Sequence, residues 1–159
     1  MTTKIPNYVR AGYPGLYLLS HEEARVEAEL AQTAKNIKFN LFAWSATTGL
    51  INTADGQSLN AQEPLEAVTA VASLPENALV LLRDFHKFLE DGNPILIRAL
   101  KDTLALAKTQ GKVLIILACR QVLPPELERE FTVIDFNLPD KETLGTVLDT
   151  ICTSAKIKK

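Results

Sequence analysis

The chain passes from its first predicted strand into a helix through Leu16-Tyr17-Leu18-Leu19-Ser20-His21-Glu22-Glu23-Ala24-Arg25. In α/β domains that bind nucleotides this turn is rich in glycine, so that backbone amides surround the phosphate, and a lysine neutralises it. Here no glycine occurs between Leu16 and Gly49, and the helix begins with the carboxylates of Glu22 and Glu23. These charges would repel an anion. We therefore predict an α/β domain that lacks the phosphate-binding turn.

Strands and helices alternate along the rest of the chain. Residues 78–82 and 113–117 read ALVLL and VLIIL, and continuously apolar strands of this kind are buried on both faces of a parallel sheet. We predict a three-layer α/β sandwich with five parallel strands, at residues 16–20, 39–45, 78–84, 113–118 and 132–136. The order of a P-loop-type domain places the first strand inside the sheet, between the fourth and the fifth.

Length and composition indicate one globular domain. The 159 residues are 47% apolar and 23% charged, which is ordinary for a folded protein. We expect a single domain over residues 1–159, with an N-terminal segment at 1–12 and an α/β core at 16–155. A last helix should be lined by Leu144, Val147, Leu148 and Ile151.

Charge and hydropathy restrict the function classes. The net charge of −2 gives no reason to expect nucleic acid as a partner, and the Lys-rich end at residues 156–159 is expected to be solvated. No apolar run reaches the ~18 residues of a membrane span, and no signal peptide is visible. We expect a cytoplasmic protein, or one of the plastid stroma, with Cys119 and Cys152 as buried, reduced thiols.

Two short patterns bear on ATP chemistry. Residues 79–84 look like a Walker B strand that ends in Asp84, but Phe85 follows where a working ATPase has a glutamate. The Gly111-Lys112 pair lies between a helix and a strand, which is the wrong context for a phosphate loop. We predict no catalytic, cofactor-binding or metal-binding residues, and no ATP hydrolysis by this chain alone.

The carboxyl ends of parallel strands gather at one edge of the sheet, where sites form. We predict a partner-binding rim there, consisting of Trp44, Thr47, Thr48, Asp84, Phe85, His86, Asp91 and Arg120. An alternative is that Asp84, His86 and Arg120 bind a small molecule or nucleotide. We interpret the aromatic side chains of Trp44 and Phe85 as core and rim packing rather than as a ligand-stacking site. Residues 46–61 are predicted to form a long polar loop, either a mobile excursion or a contact with a partner.

Several stretches, in order, resemble the N-terminal, P-loop-lacking domain of the AAA-family ATPases of cyanobacteria and algal plastid genomes. They are YPGLYL at 13–18, SHEEAR at 20–25, WSATTG at 44–49, LRDFHKFLED at 82–91, LPPELERE at 123–130 and VIDFNLP at 133–139.

The resemblance implies a degenerate RecA/AAA-like domain that precedes a genuine AAA+ module. That module carries the ATP-site residues, none of which has a position here. The implied function is a non-catalytic regulatory or substrate-recruiting domain, with an AAA+ module in cis or in trans as its protein partner and no cofactor. The alternatives are a stand-alone interaction module and a small-molecule or nucleotide-binding enzyme. A homo-oligomer is a further possibility for the assembly of the chain.

Overall fold

The computed structural model describes residues 5–135, so the predicted last helix, Cys152 and the Lys-rich end lie outside the described residues. The elements in chain order are α1 (Ile5–Arg10), β1 (Gly15–Leu19), α2 (Glu23–Ile37), β2 (Asn40–Ser45), β3 (Gly49–Asn52), α3 (Pro64–Ala70), β4 (Ala78–Arg83), α4 (His86–Leu89), α5 (Pro94–Gln110), β5 (Val113–Ala118) and β6 (Thr132–Asp135). Short 3₁₀ turns cover Val71–Ser73 and Pro125–Leu127.

The strands form one sheet in the order β3-β2-β4-β5-β1-β6. All neighbours pair in parallel except β2 and β3, which are antiparallel. Leu16 of β1 lies opposite Ile115 of β5 on one side and Thr132 of β6 on the other. The five predicted parallel strands and the inner position of β1 are therefore confirmed.

The prediction of one long loop at residues 46–61 is wrong, because β3 pairs back along β2 and adds a sixth strand. The chain then returns along β3, with Leu59 N donating to Leu50 O at 2.8 Å and Leu50 N to Ala61 O at 2.9 Å. Gly49 permits this path, since its φ is +68° and a Cβ there would lie 3.1 Å from Ala61 O. The outer edge of β3 is thus covered.

Helices cover both faces of the sheet and make the predicted third layer. One core contains Leu16, Leu18, Val26 and Leu30, from β1 and α2, and it extends to α1. The other core contains the strand side chains that point to the opposite face of the sheet, such as Tyr17, and it packs under α3, α4 and α5. Every residue of β5 is buried, as the continuous apolar pattern predicted. No helix within residues 5–135 has the length and apolar character to cross a membrane.

The longest helix within residues 5–135, α5, has the ends that its sequence predicts. The Asn93 side chain accepts hydrogen bonds from the backbone N–H of Ile95 at 3.0 Å and of Leu96 at 3.4 Å, and Pro94 occupies the first turn. Gly111 ends the helix in the left-handed region.

Lys112, which follows that glycine, has a structural role. It is buried, and its Nζ donates to Val71 O at 2.9 Å and more weakly to Ala72 O, at the end of α3. Burial lowers the pKa of Lys112, and the charge of Glu76 partly offsets this. The Gly-Lys pair therefore joins β5 to the end of a helix instead of binding phosphate.

Candidate functional site

The carboxyl ends of β2 and β4 and the first turns of α2 surround a polar cleft of about 480 Å³. Its lining includes Glu23 and Glu27 from α2, Thr47 and Thr48 from the β2–β3 turn, and Asp84 after β4. This is the edge of the sheet at which ligands of parallel α/β domains bind. A phosphate-binding site of this fold would therefore be expected at this cleft.

The β1–α2 turn is closed by its own side chains. Ser20 is buried, and its Oγ accepts the backbone N–H of Glu22 at 2.9 Å. Glu22 pairs with Arg25 at 3.2 Å. One of the backbone N–H groups that a phosphate would need is thus already occupied, and the turn presents carboxylates.

The basic residue of the cleft lining is paired as well. Arg83 forms an ion pair with Glu27, whereas Glu23 and Asp84 form none among residues 5–135. The cleft therefore carries net negative charge, which disfavours a nucleotide triphosphate and favours a cationic group. Asp84 adopts φ of +54°, a left-handed conformation that aspartate tolerates better than most residues.

Hydroxyl groups fix the β2–β3 turn. Ser45 Oγ lies 2.8 Å from Thr48 Oγ1 and 3.2 Å from Thr47 Oγ1, and it also accepts the backbone N–H of Thr48 at 3.2 Å. Both threonines are exposed. The hydrogen bonds to Ser45 therefore fix two exposed hydroxyl groups at the rim of the cleft.

The predicted aromatic members of the rim lie in the core. Trp44 and Phe85 are fully buried, and their rings meet edge to face with centroids 5.5 Å apart. Trp44 Nε1 also donates to Gln62 O at 3.0 Å. A partner cannot contact these two residues directly, because they are fully buried and the Phe88 ring of α4 packs against both of them.

His86 is also out of reach, with an exposed fraction of 2%. Neither ring nitrogen has a hydrogen-bond partner among residues 5–135. Burial lowers the pKa of His86; the charge of Asp84 opposes this, while Lys87 and Arg120 lower the pKa further. The neutral imidazole therefore packs as a core group, and the described part of the chain contains no cluster of His, Cys, Asp and Glu suited to a metal ion.

The segment after β5 is held by a residue that the sequence did not single out for function. The Tyr17 hydroxyl, buried in β1, donates to Arg120 O at 2.6 Å and accepts from Val122 N at 3.0 Å. The Arg120 side chain pairs with Glu90 at the surface. Cys119 is exposed, which corrects the expected burial, because β5 ends one residue earlier at Ala118.

Of the eight predicted rim residues, the exposed ones are Thr47, Thr48, Asp84, Asp91 and Arg120. The structure brings Thr47, Thr48 and Asp84 to the polar cleft, while Asp91 lines a different groove. Sequence reasoning missed Glu27, although its spacing of four residues from Glu23 puts both carboxylates on one helical face.

Comparison with known proteins identifies relatives of this domain. The family model of the SpoVK-like AAA ATPase N-terminal domain matches residues 1–136. The AAA domain-containing protein ycf46 of Trieres chinensis is 30% identical over 152 residues, which are 94% of this chain and 30% of that protein. The ycf46 protein of Gracilaria tenuistipitata var. liui is 29% identical over 136 residues, or 84% of this chain and 27% of that protein. The chain thus spans under a third of the length of these relatives.

Solved structures share the fold. A DNA replication initiation factor superposes with a TM-score of 0.58 at 13% identity, covering 97% of this chain and 50% of that one. A chain of the E. coli HORMA:CdnC:Trip13 complex gives 0.57 at 16% identity, covering 92% of this chain and 56% of that one. At this level of identity the likeness concerns the fold alone.

Proposed function

Because the chain belongs to the SpoVK-like AAA ATPase N-terminal domain family, we propose that it is a non-catalytic domain that regulates an AAA+ ATPase module or recruits substrates to it. The exposed rim residues Thr47, Thr48, Asp84 and Arg120 would provide the contact. The family gives the context of an AAA ATPase, and the regulatory or recruiting role is the proposal.

The observation that carries the proposal is the β1–α2 turn. The position of a phosphate loop is occupied by Ser20, whose hydroxyl already binds the N–H of Glu22, and by the carboxylates of Glu22 and Glu23. Arg83, the basic residue of the cleft lining, is paired with Glu27. A domain of this fold without phosphate-binding groups is better suited to binding protein than to hydrolysing ATP.

The geometry of the rim supports protein recognition. Strand ends and turns on a rigid scaffold are common binding positions, and the hydroxyl cluster around Ser45 fixes the turn that presents Thr47 and Thr48. A preformed surface loses less conformational entropy when a partner binds. The carboxylates of Glu23 and Asp84, which form no ion pair among residues 5–135, favour a partner with basic groups at this contact.

The small-molecule alternative has less support. It requires Asp84, His86 and Arg120 to face a common ligand, yet His86 is buried and Arg120 is paired with Glu90. A stand-alone interaction module would use the same rim without an ATPase partner. Binding to the AAA ATPase part of a relative separates this alternative from the proposed function.

The test measures binding of this chain to the part of a full-length relative that lies outside the matched region, and the ATPase rate of that part with and without this chain. Thr48→Lys and Asp84→Asn should each weaken binding by roughly 3–10-fold, about 0.7–1.4 kcal/mol. Asn keeps the preference for left-handed backbone at position 84 while removing the charge. Glu76→Gln, at the opposite end of β4, is the matched control.

The proposal fails if the chain neither binds that part nor changes its ATPase rate, or if both rim variants behave like the control. Calorimetry with ATP and Mg²⁺ gives the second readout. We expect affinity no better than roughly millimolar, and a nucleotide bound at residues 20–24 would favour the small-molecule alternative.

A further inference from the structure

A second surface lies where α4 meets the first turns of α3 and α5. It is a groove of about 360 Å³, whose lining includes Glu63, Leu65, Phe88, Asp91, Ile95 and Leu96. Four large apolar side chains are exposed in the described part of the chain. Two of them line this groove: Leu65, which is 40% exposed, and Ile95, which is 66% exposed.

The groove is rigid before any partner binds. Phe88 is half-buried and meets Trp44 edge to face, with ring centroids 5.7 Å apart. Leu96 is buried, and the Asn93 cap fixes the first turn of α5, from which Ile95 projects. An apolar group entering the groove would therefore meet Phe88 and Leu96 already held by packing, and only the exposed Leu65 and Ile95 side chains would lose conformational entropy on contact.

The charge of the groove is negative. Its lining includes the carboxylates of Glu63 and Asp91 and no basic residue, and neither carboxylate forms an ion pair within residues 5–135. The amino-terminal ends of α3 and α5 contribute about +0.5 elementary charge each at most. Two full negative charges exceed this, so the groove attracts cations.

We propose that this groove binds a segment of another protein that presents an aliphatic or aromatic side chain flanked by Lys or Arg. The apolar side chain would cover Leu65 and Ile95, and the basic residues would approach Glu63 and Asp91. The combination of exposed apolar area with uncompensated carboxylates selects this chemistry over an acidic or a purely polar segment. The inference does not depend on the role proposed for the rim, and its variants leave Thr48 and Asp84 intact.

The test uses a random-peptide display library selected against the whole chain. We expect enriched peptides in which an apolar residue is flanked by Lys or Arg. An enriched peptide, labelled with fluorescein and measured by anisotropy, should bind Ile95→Asp and Leu65→Asp at least about tenfold more weakly. It should bind Val133→Asp, which alters an exposed apolar residue on β6, with unchanged affinity. Binding should also weaken at about 1 M salt, where the Debye length is about 3 Å.

Thermal melting checks that all three variants fold, and the exposed Ile95 and Leu65 make this the expected result. The proposal is overturned if no peptide is enriched, if the enriched peptides are acidic, or if Ile95→Asp and Leu65→Asp bind as tightly as the parent chain. It is also overturned if sedimentation velocity shows that the chain forms a dimer that Ile95→Asp dissociates, because a second copy would then occupy the groove.

Discussion

Replacing Tyr17 with phenylalanine should destabilise the domain by about 2–3 kcal/mol. The change removes only the hydroxyl, which donates to Arg120 O at 2.6 Å and accepts from Val122 N at 3.0 Å. A hydrogen bond contributes about 0.5–1.5 kcal/mol net, and a buried group left without its partner costs about 1–3 kcal/mol. The buried ring of Tyr17 stays in place, so no cavity larger than one oxygen atom forms.

Urea unfolding at neutral pH measures this effect. The hydroxyl is protonated there, because burial raises the pKa of Tyr17 above its ordinary value. Tyr13→Phe is the matched control: Tyr13 is 45% exposed, and its ring contact with Tyr8 persists in phenylalanine. We expect the control to change the free energy of unfolding by under about 0.5 kcal/mol. An equally small change for Tyr17→Phe, with an unchanged m value, would refute the view that this hydroxyl holds the segment after β5.

Three further outcomes are expected. Leu81→Ala should cost roughly 2–5 kcal/mol by denaturant titration, because Leu81 is buried between the sheet and the layer formed by α1 and α2; a loss below about 1 kcal/mol would mean that the site is not a packed core position. Gly111→Ala should cost about 1–3 kcal/mol, since its φ is +68° and a Cβ would lie 2.7 Å from Asn77 Oδ1; Gly56→Ala, with a φ of +72° and nothing within 4 Å, should cost less. Burial keeps the folded-state pKa of His86 below 6.5, so stability is full above that pH and is lost as the pH falls from there through the folded-state pKa. Thermal melts at several pH values should show a shallower decline for His86→Leu, and an identical pH profile would count against this assignment.

Most of the sheet could be predicted from the sequence, because each strand is marked by the residue types within its own short stretch of chain. The apolar runs of β4 and β5 mark strands buried on both faces, and Asn93, Pro94 and Gly111 mark the ends of α5. By contrast, β3 has only Leu50 and Ile51 as apolar residues between turn-forming neighbours. It is a strand because it pairs with β2, and a short stretch of sequence does not reveal that pairing.

The site was less predictable, since it depends on which strand-end side chains remain exposed. Trp44 lies in β2, and Phe85 and His86 follow β4, as the predicted strands imply, but the burial of these side chains depends on tertiary packing, such as the contact of Phe88 from α4 with Trp44 and Phe85. The partner of the Tyr17 hydroxyl is 103 positions away along the chain, and the pairing of Arg83 with Glu27 likewise joins separate elements. The sequence placed Thr47, Thr48 and Asp84 at this edge of the sheet, where the structure has them, and tertiary packing determines which of the other predicted side chains are exposed.

The inner position of β1 has a consequence for synthesis on the ribosome. β1 emerges early, but both of its neighbours, β5 and β6, emerge late, since Gly15 pairs opposite Leu114. For the time needed to translate ~100 residues, an apolar strand has two unpaired edges and no lasting partner, which is the situation that slows folding and invites aggregation. The β2–β3 hairpin, whose strands are separated by a short turn, can form as soon as it leaves the exit tunnel. The nascent domain therefore exposes both edges of β1 until β5 and β6 have been translated.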